Sequence, residues 1–310
     1  MIELLKTIYS FALEVFEESL KDNILSLGAS IAYFTMFSFG PVIVITIALA
    51  SIFFGEDAIR GNIFNELNSL LGAKAATQVQ ALVENAYRSG ASYSATLISI
   101  GTFFFGATGV FVELKGALNI IWGVKASPRN GIIQFIIDRF LSFAMVISIG
   151  FILLVALVIN TLISAFSENI LYFIPELSEL LLHSSGILSS LIIPSLLFAI
   201  LFKGLPDATV RWRDVWIGAL FTGFLFTIGK NVIGFYIGNS EITNTFGAAG
   251  SLAALLVWAY YTAQILLLGA EFTYVYAKRY EPKIEASEHG IRVKRIEKEV
   301  KSKKDKEKRS

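Results

Sequence analysis

Residues 251–270 read SLAALLVWAYYTAQILLLGA, twenty consecutive positions without a charged side chain. An α-helix rises 1.5 Å per residue, so about 20 apolar residues cross the roughly 30 Å hydrocarbon core of a bilayer. The stretch therefore predicts a membrane-spanning helix, which its apolar flanks extend to about 247–277.

Further apolar blocks precede this stretch, and short polar connections separate them. They predict five more spans, at about 24–54, 95–115, 133–165, 184–202 and 214–238. The composition agrees, since 55% of the 310 residues are hydrophobic and only 16% are charged, against about 25% charged in soluble domains. The chain has no cysteine, which excludes a disulfide framework and a thiolate metal site.

Lysine and arginine fall on every second connection. The connection 115–139 carries four and 203–214 carries three, whereas 166–186 and 239–246 carry none. Thirteen more follow from residue 278 onward. By the positive-inside rule both termini are cytoplasmic. The sequence therefore predicts an all-α, multi-pass protein of the cytoplasmic membrane. Its six transmembrane helices form one domain in the lipid bilayer, over residues 23–280.

The segments outside the spans have characters of their own. Residues 1–22 predict an amphipathic helix on the membrane surface, with Leu4, Ile8, Phe11, Val15 and Ser19 on its apolar face. The outer loop 55–94 predicts short helices. Residues 281–310 predict a disordered, charged cytoplasmic tail that attracts anionic inner-leaflet lipid. Its acids are interleaved with its bases and no aromatic residue follows Tyr280, so a nucleic-acid partner is not expected.

Several short motifs resemble the YihY/BrkB family of bacterial membrane proteins. They are Asp22-Asn23, Ala32-Tyr33-Phe34-Thr35 and Pro41; Ala117-Leu118-Asn119 with Trp122; Trp212-Arg213-Asp214, Gly218-Ala219, Gly229-Lys230 and Tyr236; and Phe246-Gly247, Trp258-Ala259-Tyr260 and Leu268-Gly269-Ala270-Glu271. Phe246 departs from the family, which usually has Tyr there. The resemblance implies an integral protein of the cytoplasmic membrane, for which transport or export is suspected.

Lys230 is a charged residue well inside an apolar block and away from the predicted inner face. A cation there costs about 2.5–3.5 kcal/mol on insertion scales. It either snorkels to the outer interface or faces an internal cavity, where it would bind an anionic head group or substrate. The candidate substrate-binding residues are Lys230, Asn231, Asn160, Tyr33 and Gln264.

A second set of polar residues is predicted near the inner ends of the spans: Glu113, Asp138, Arg213, Asp214 and Glu271. We expect Glu113 to meet Lys115, Arg139 or Arg213, and Glu271 to pair with a basic residue of the same layer. These contacts would anchor helix ends, or the acids would form a proton or cation relay.

Other features concern helix breaks and packing. Gly40, Pro41 and Pro194 interrupt two spans, either as simple kinks or as breaks that line a binding site. Gly234 and Gly238 have GxxxG spacing, which favours close packing within one chain over a homo-oligomer seam.

The sequence lacks the constellations of known enzyme classes. Its two histidines, His183 and His289, are predicted on opposite sides of the membrane, and no Walker loop or GxSxG motif is present. We therefore predict no enzyme, metal or cofactor, and judge a ribonuclease excluded. The predicted function is a transporter, exporter or lipid translocator for an anionic or amphipathic solute. The alternative is a non-transporting membrane scaffold or envelope-integrity factor.

Overall fold

The computed structural model describes residues 2–38, 108–126, 137, 139–141, 144, 175–239, 250–280, 285–287 and 290–293. Its helices are α1 (Ile2–Lys21), α2 (Ile24–Ser38), α3 (108–121), α4 (Pro175–Gly204), α5 (Trp212–Asn239) and α6 (Gly250–Tyr280). Its strands are β1 (Val124–Ala126), β2 (Ala208–Thr209), β3 (Glu285–Ala286) and β4 (Gly290–Arg292). The isolated positions 137, 139–141 and 144 are helical as well.

Two described helices are long and apolar enough to cross a membrane, over Trp212–Tyr236 and Leu252–Tyr280. They coincide with the predicted fifth and sixth spans. Ile24–Ser38 and Ser190–Gly204 are shorter apolar helices within the predicted first and fourth spans. The mainly helical architecture is thus confirmed for the described residues, while the count of six spans and their orientation stay predictions.

Two predicted connections are shorter than expected. The fourth helix begins at Pro175 and not near 184, so the predicted loop 166–186 is wrong for its second half. Proline is favoured in the first turn of a helix, where its missing N–H has no partner to lose. The helix α3 continues to residue 121, beyond the predicted end at 115. Hydropathy marks the apolar part of a helix and not its polar ends.

Four short strands gather at one end of the helices, which we call the strand end. The strand β1 follows α3 and pairs antiparallel with β4, with Val124 opposite Arg292. The strand β2 follows α4 and pairs with β3, with Ala208 opposite Ala286. The strand end therefore joins connections that the basic-residue pattern places together on the cytoplasmic side. The prediction of a disordered tail from residue 281 is wrong for β3 and β4, because both strands find edge partners.

The helices α5 and α6 interlock through two Gly-xxx-Thr segments. A Cβ added at Gly218 would clash with the Thr273 hydroxyl, and one added at Gly269 would clash with the Thr222 hydroxyl. Each threonine donates to the carbonyl four residues earlier, at 2.7 Å for Thr222 and 2.6 Å for Thr273. Small residues let two helix backbones approach closely. Gly234 is not such a contact, because an added Cβ there meets nothing within 4 Å.

The helix α1 packs on α6 along the face that amphipathicity predicts. Phe11 and Phe272 meet edge to face at 5.1 Å, and Val15 and Ser19 are buried. Ile8, placed on the same face by the prediction, is exposed. A second apolar stripe is exposed as well, formed by Leu5, Tyr9, Phe16 and Leu20. The helix therefore has one protein-facing and one outward-facing apolar side, as a helix lying at a membrane surface against a bundle requires.

Candidate functional site at the strand end

Asp207 is the centre of a fully paired polar cluster at the strand end. Its carboxylate lies 3.0 Å from the Lys115 ammonium and accepts a 2.9 Å hydrogen bond from the Asn119 amide. Its backbone N–H donates to Asn119 Oδ1 at 2.8 Å. The side chains of Lys115 and Asp207 are only 12% and 10% exposed, so the pair is protected from solvent screening. The cluster ties α3 to the connection between α4 and α5.

The C-terminal strands close over the same residue. The backbone N–H of Ser287 donates to the Asp207 carbonyl at 2.9 Å. Gly290 lies so close to that carbonyl that an added Cβ would clash with it. Gly123, with φ of 62°, turns the chain from α3 into β1, and its carbonyl accepts from Val293 at 2.9 Å. Asp207 is thus held by side-chain and backbone bonds together.

Glu271 is a second buried acid at this end, and its surroundings are different. It lies in α6 with 0% of its surface exposed. Among the described residues neither carboxyl oxygen has a hydrogen bond of ordinary geometry, and no basic side chain forms an ion pair with it. The expected ion pair with a basic residue of its layer is not seen among the described residues, where Lys278 lies 3.1 Å from Glu18 and 3.6 Å from Glu14.

The carboxyl that acts most strongly on Glu271 is that of Asp22, in the turn between α1 and α2. Asn23 makes this turn with φ of 54°, a left-handed conformation that asparagine tolerates better than most residues. Its carbonyl accepts from the N–H groups of Ser26 and Leu27, which start α2. The Asp22-Asn23 motif therefore both forms the turn from α1 to α2 and contributes the carboxyl that acts on the buried one.

Trp122 completes this layer from α3. Its ring is 2% exposed and meets Tyr274 edge to face at 6.1 Å, one turn along α6 from Glu271. Its indole N–H has no acceptor in the part of the chain that the structure describes. A buried donor and a buried carboxyl thus stand in one layer without partners, and each lost hydrogen bond of this kind costs about 1–3 kcal/mol.

Lys230 lies on α5, on the side opposite its exposed stripe. That stripe contains Phe224, Ile228, Val232 and Phe235, the last 74% exposed. At 100° per residue Lys230 is about 200° from Ile228 around the helix, and it is half-buried. It shares a face with Gly223, where an added Cβ would clash with Ser195 of α4.

One turn before Lys230 and on the same face, the Thr227 hydroxyl bonds a carbonyl that Pro194 leaves without an N–H partner in α4. Proline at 194 offers no N–H to the Ser190 carbonyl, which is its position-minus-four partner. Thr227 donates to that carbonyl at 2.8 Å. Pro194 therefore lies within a continuous helix, and its freed carbonyl is bound by α5. This favours the packing interpretation of Pro194 over a cavity-lining one.

The family model described as "Virulence factor BrkB" matches residues 15–291. The chain belongs to the BrkB family. It is 27% identical over 276 residues to a UPF0761 membrane protein of Paraburkholderia xenovorans, covering 87% of this chain and 59% of the relative.

Two more relatives carry the same printed name. The UPF0761 membrane protein of Acinetobacter baylyi is 27% identical over 290 residues, covering 90% of this chain and 65% of the relative. The one of Xanthomonas axonopodis pv. citri is 26% identical over 288 residues, covering 88% and 63%. The chain thus spans less than two thirds of the length of these relatives. No solved structure matches it.

The other predicted binding residues that the structure describes have contacts of their own. Asn231 is exposed, and its amide donates to the Thr227 carbonyl of its own helix at 2.9 Å. Tyr33 is 55% exposed; its ring meets Phe34 edge to face at 5.6 Å and is tilted against Phe37 at 4.9 Å. The Gln264 amide reaches the Ile24 carbonyl at 3.4 Å, joining α6 to the start of α2. Asn160 lies outside the described residues, as do Gly40 and Pro41.

The second predicted set is only partly brought together. Glu113 is half-buried, but the bases expected beside it have other partners: Lys115 contacts Asp207, and Arg139 donates to Thr108 at 2.8 Å. Arg213 is exposed, and Asp214 lies in the first turn of α5, where a negative charge favours the helix dipole. Asp138 falls outside the described residues.

Asp207 is the buried polar residue of the strand end that the sequence interpretation missed. Its signal was present, since it is the one acid between Lys203 and Arg211 in a basic connection. Within the described residues, no group of three or more His, Asp or Glu side chains is placed to share a metal ion.

Proposed function

We propose that this BrkB-family chain is a multi-pass transporter of the cytoplasmic membrane that moves an anionic amphipathic solute, with six spans and both termini in the cytoplasm. The position of Lys230 carries the proposal. The transport is non-enzymatic in this account, and the chain acts without a cofactor.

The argument from Lys230 is one of cost and direction. A charged residue in an apolar, span-length helix has to recover about 2.5–3.5 kcal/mol by reaching water or a partner. A snorkelling lysine belongs on the side that faces lipid. Lys230 instead lies opposite the stripe of Ile228 and Val232 and shares its face with Thr227, which bonds to α4. A lysine on the face of α5 that is turned toward α4, and not toward lipid, is placed to bind a solute inside the bundle.

The expected ligand follows from the same residues. An ammonium group in an apolar wall recognises a carboxylate or phosphate, while apolar side chains around it suit an acyl or aryl part. Thr227 and the Ser190 carbonyl add polar groups one turn away. These features support an anionic head group joined to an apolar body.

The experiment reconstitutes the full chain in vesicles that contain fluorescent phosphatidylglycerol, and reads translocation by quenching with dithionite from outside. We expect Lys230→Gln to slow translocation about 10- to 100-fold, because a hydrogen bond to a charged group contributes roughly 1.5–3 kcal/mol. Lys230→Arg should retain most of the rate.

A relocated charge provides the matched control. The double variant Lys230→Val/Val232→Lys keeps composition and net charge but moves the cation onto the exposed stripe, where a lysine can snorkel. It should fold and yet translocate as slowly as Lys230→Gln. Equal rates for wild type, Lys230→Gln, the double variant and protein-free vesicles would contradict the proposal and favour the scaffold alternative.

A further inference from the structure

The buried carboxyl of Glu271 points to a proton site that it shares with the turn between α1 and α2. We propose that Glu271 and Asp22 together bind one proton, and that this pair is the proton-coupling site of the chain. The coupling part rests on the proposed transport function, whereas the binding of the proton does not.

The first step of the argument is burial without compensation. Glu271 has no exposed surface, and among the described residues its oxygens have neither a hydrogen bond of ordinary geometry nor a basic ion-pair partner. An isolated ionised carboxylate in such surroundings is so costly that the group takes up a proton instead. The neutral acid removes the charge and supplies an O–H donor.

The second step is the neighbouring carboxyl. Asp22 acts on Glu271 from the turn between α1 and α2, and Glu18 adds a further negative charge from α1. Two carboxyls that share one site resist being ionised together, so they hold a single proton between them. With that proton the pair has one negative charge, and without it the pair has two.

The third step is the set of charges around the pair. On α6 itself the titratable neighbours are Tyr274 and Lys278. The Lys278 ammonium stands over the Tyr274 ring at 5.6 Å and is bound by Glu14 and Glu18. From α3 the layer receives the neutral Trp122, while Lys115 is held by Asp207. The facing part of α5 contributes Thr222, which is uncharged.

The two carboxyls belong to different elements, so the shared proton can affect how these elements pack together. Asp22 belongs to the α1–α2 turn, whereas Glu271 belongs to α6, so the shared proton joins two separate elements. Its loss would replace a hydrogen-bonded pair by two like charges and push these elements apart. Trp122 provides an indole donor in the same layer to receive an ionised carboxylate. Proton binding and helix movement are thereby linked.

Infrared difference spectroscopy of the full chain in nanodiscs tests the proton directly. Wild type should show the C=O stretch of a protonated carboxylic acid at neutral pH, and the band should shift in D2O. Glu271→Gln should remove the band. Because the proton is shared, Asp22→Asn should alter it too, which keeps the test usable if one variant fails to fold. Glu17→Gln, at an exposed position of α1, is the control and should leave the band unchanged.

Three outcomes would overturn the proposal. These are a band absent from wild type, a band that persists unaltered in both variants, and a band that appears only when Na⁺ is withdrawn, which would indicate a cation site. Vesicle translocation at several pH values separates this proposal from the transport function. A band with no translocation contradicts transport alone, while translocation with no band contradicts the proton site alone.

Discussion

Asp207 and Glu271 are buried acids at the same end of the molecule, and they differ in every contact. The Asp207 carboxylate contacts a lysine and an asparagine amide, and its backbone carbonyl accepts from Ser287, between the two C-terminal strands. Glu271 has another carboxyl beside it and no base bound to it in the described part of the chain. A protein that only needs stability satisfies its buried charges. The contrast assigns Asp207 to architecture and Glu271 to function.

The largest expected effect comes from Asp207→Asn. It removes the carboxylate that lies 3.0 Å from the Lys115 ammonium, and breaking a buried ion pair costs about 3–5 kcal/mol. Chemical unfolding of the full chain in detergent, followed by tryptophan fluorescence, measures the loss. Glu285→Ala removes an exposed acid from the same layer and should change stability little. A loss of unfolding free energy below about 1 kcal/mol for Asp207→Asn would contradict the contrast between Asp207 and Glu271, because exposed ion pairs contribute no more than that.

A smaller effect is expected when the seam that holds Glu271 in place is overfilled. Gly218→Ala inserts a methyl group against Thr273, two residues from Glu271, and overpacking costs roughly 1–3 kcal/mol. Gly234→Ala, on the same helix, meets nothing and should be neutral or stabilising by up to about 1 kcal/mol. The same unfolding measurement compares them. Equal effects at both positions would show that the interlocked seam does not carry the stability we assign to it.

The smallest effect is expected for Lys278→Met. Its ammonium pairs with Glu14 and Glu18 and its side chain is 45% exposed, so the loss should be about 0.2–1 kcal/mol. This variant sharpens the contrast, because Lys278 is the base that lies closest in sequence to Glu271 on α6. A loss of several kcal/mol would mean that Lys278 neutralises Glu271 as well. Thermal unfolding of variant and wild type in one detergent decides the point.

The sequence predicts the membrane helices better than it predicts their ends. The fifth span was expected at 214–238 and the helix α5 occupies Trp212–Asn239, because a span-length block of apolar residues favours one continuous helix. The start of α4 at Pro175 was missed, since polar residues outside the bilayer can be helical too. Basic-residue alternation grouped the connections that the strand end brings together, but the pairing of β3 and β4 with them depends on contacts across more than 75 residues.

The site was predictable in its residue types and not in its pairings. Glu271 and Lys230 were visible as charges in apolar blocks. The bond of Asn119 to Asp207 spans 88 residues, a distance over which one sequence has no periodic signal. The GxxxG spacing at Gly234 suggested a close seam, whereas the seam lies at Gly218 and Gly269, where threonine is the partner. Which small residue faces which helix depends on helix rotation, and a spacing motif does not define that.

The central claim is that Glu271 is neutral in the folded protein while Asp207 forms an ion pair with Lys115. The free energy of unfolding of Glu271→Gln at neutral pH tests it most directly, because an amide has nearly the shape of a protonated carboxyl and no charge. We expect Glu271→Gln to lie within about 0.5 kcal/mol of wild type. A loss of about 3–5 kcal/mol, equal to that of Asp207→Asn, would show an ionised and paired carboxylate and would contradict the account.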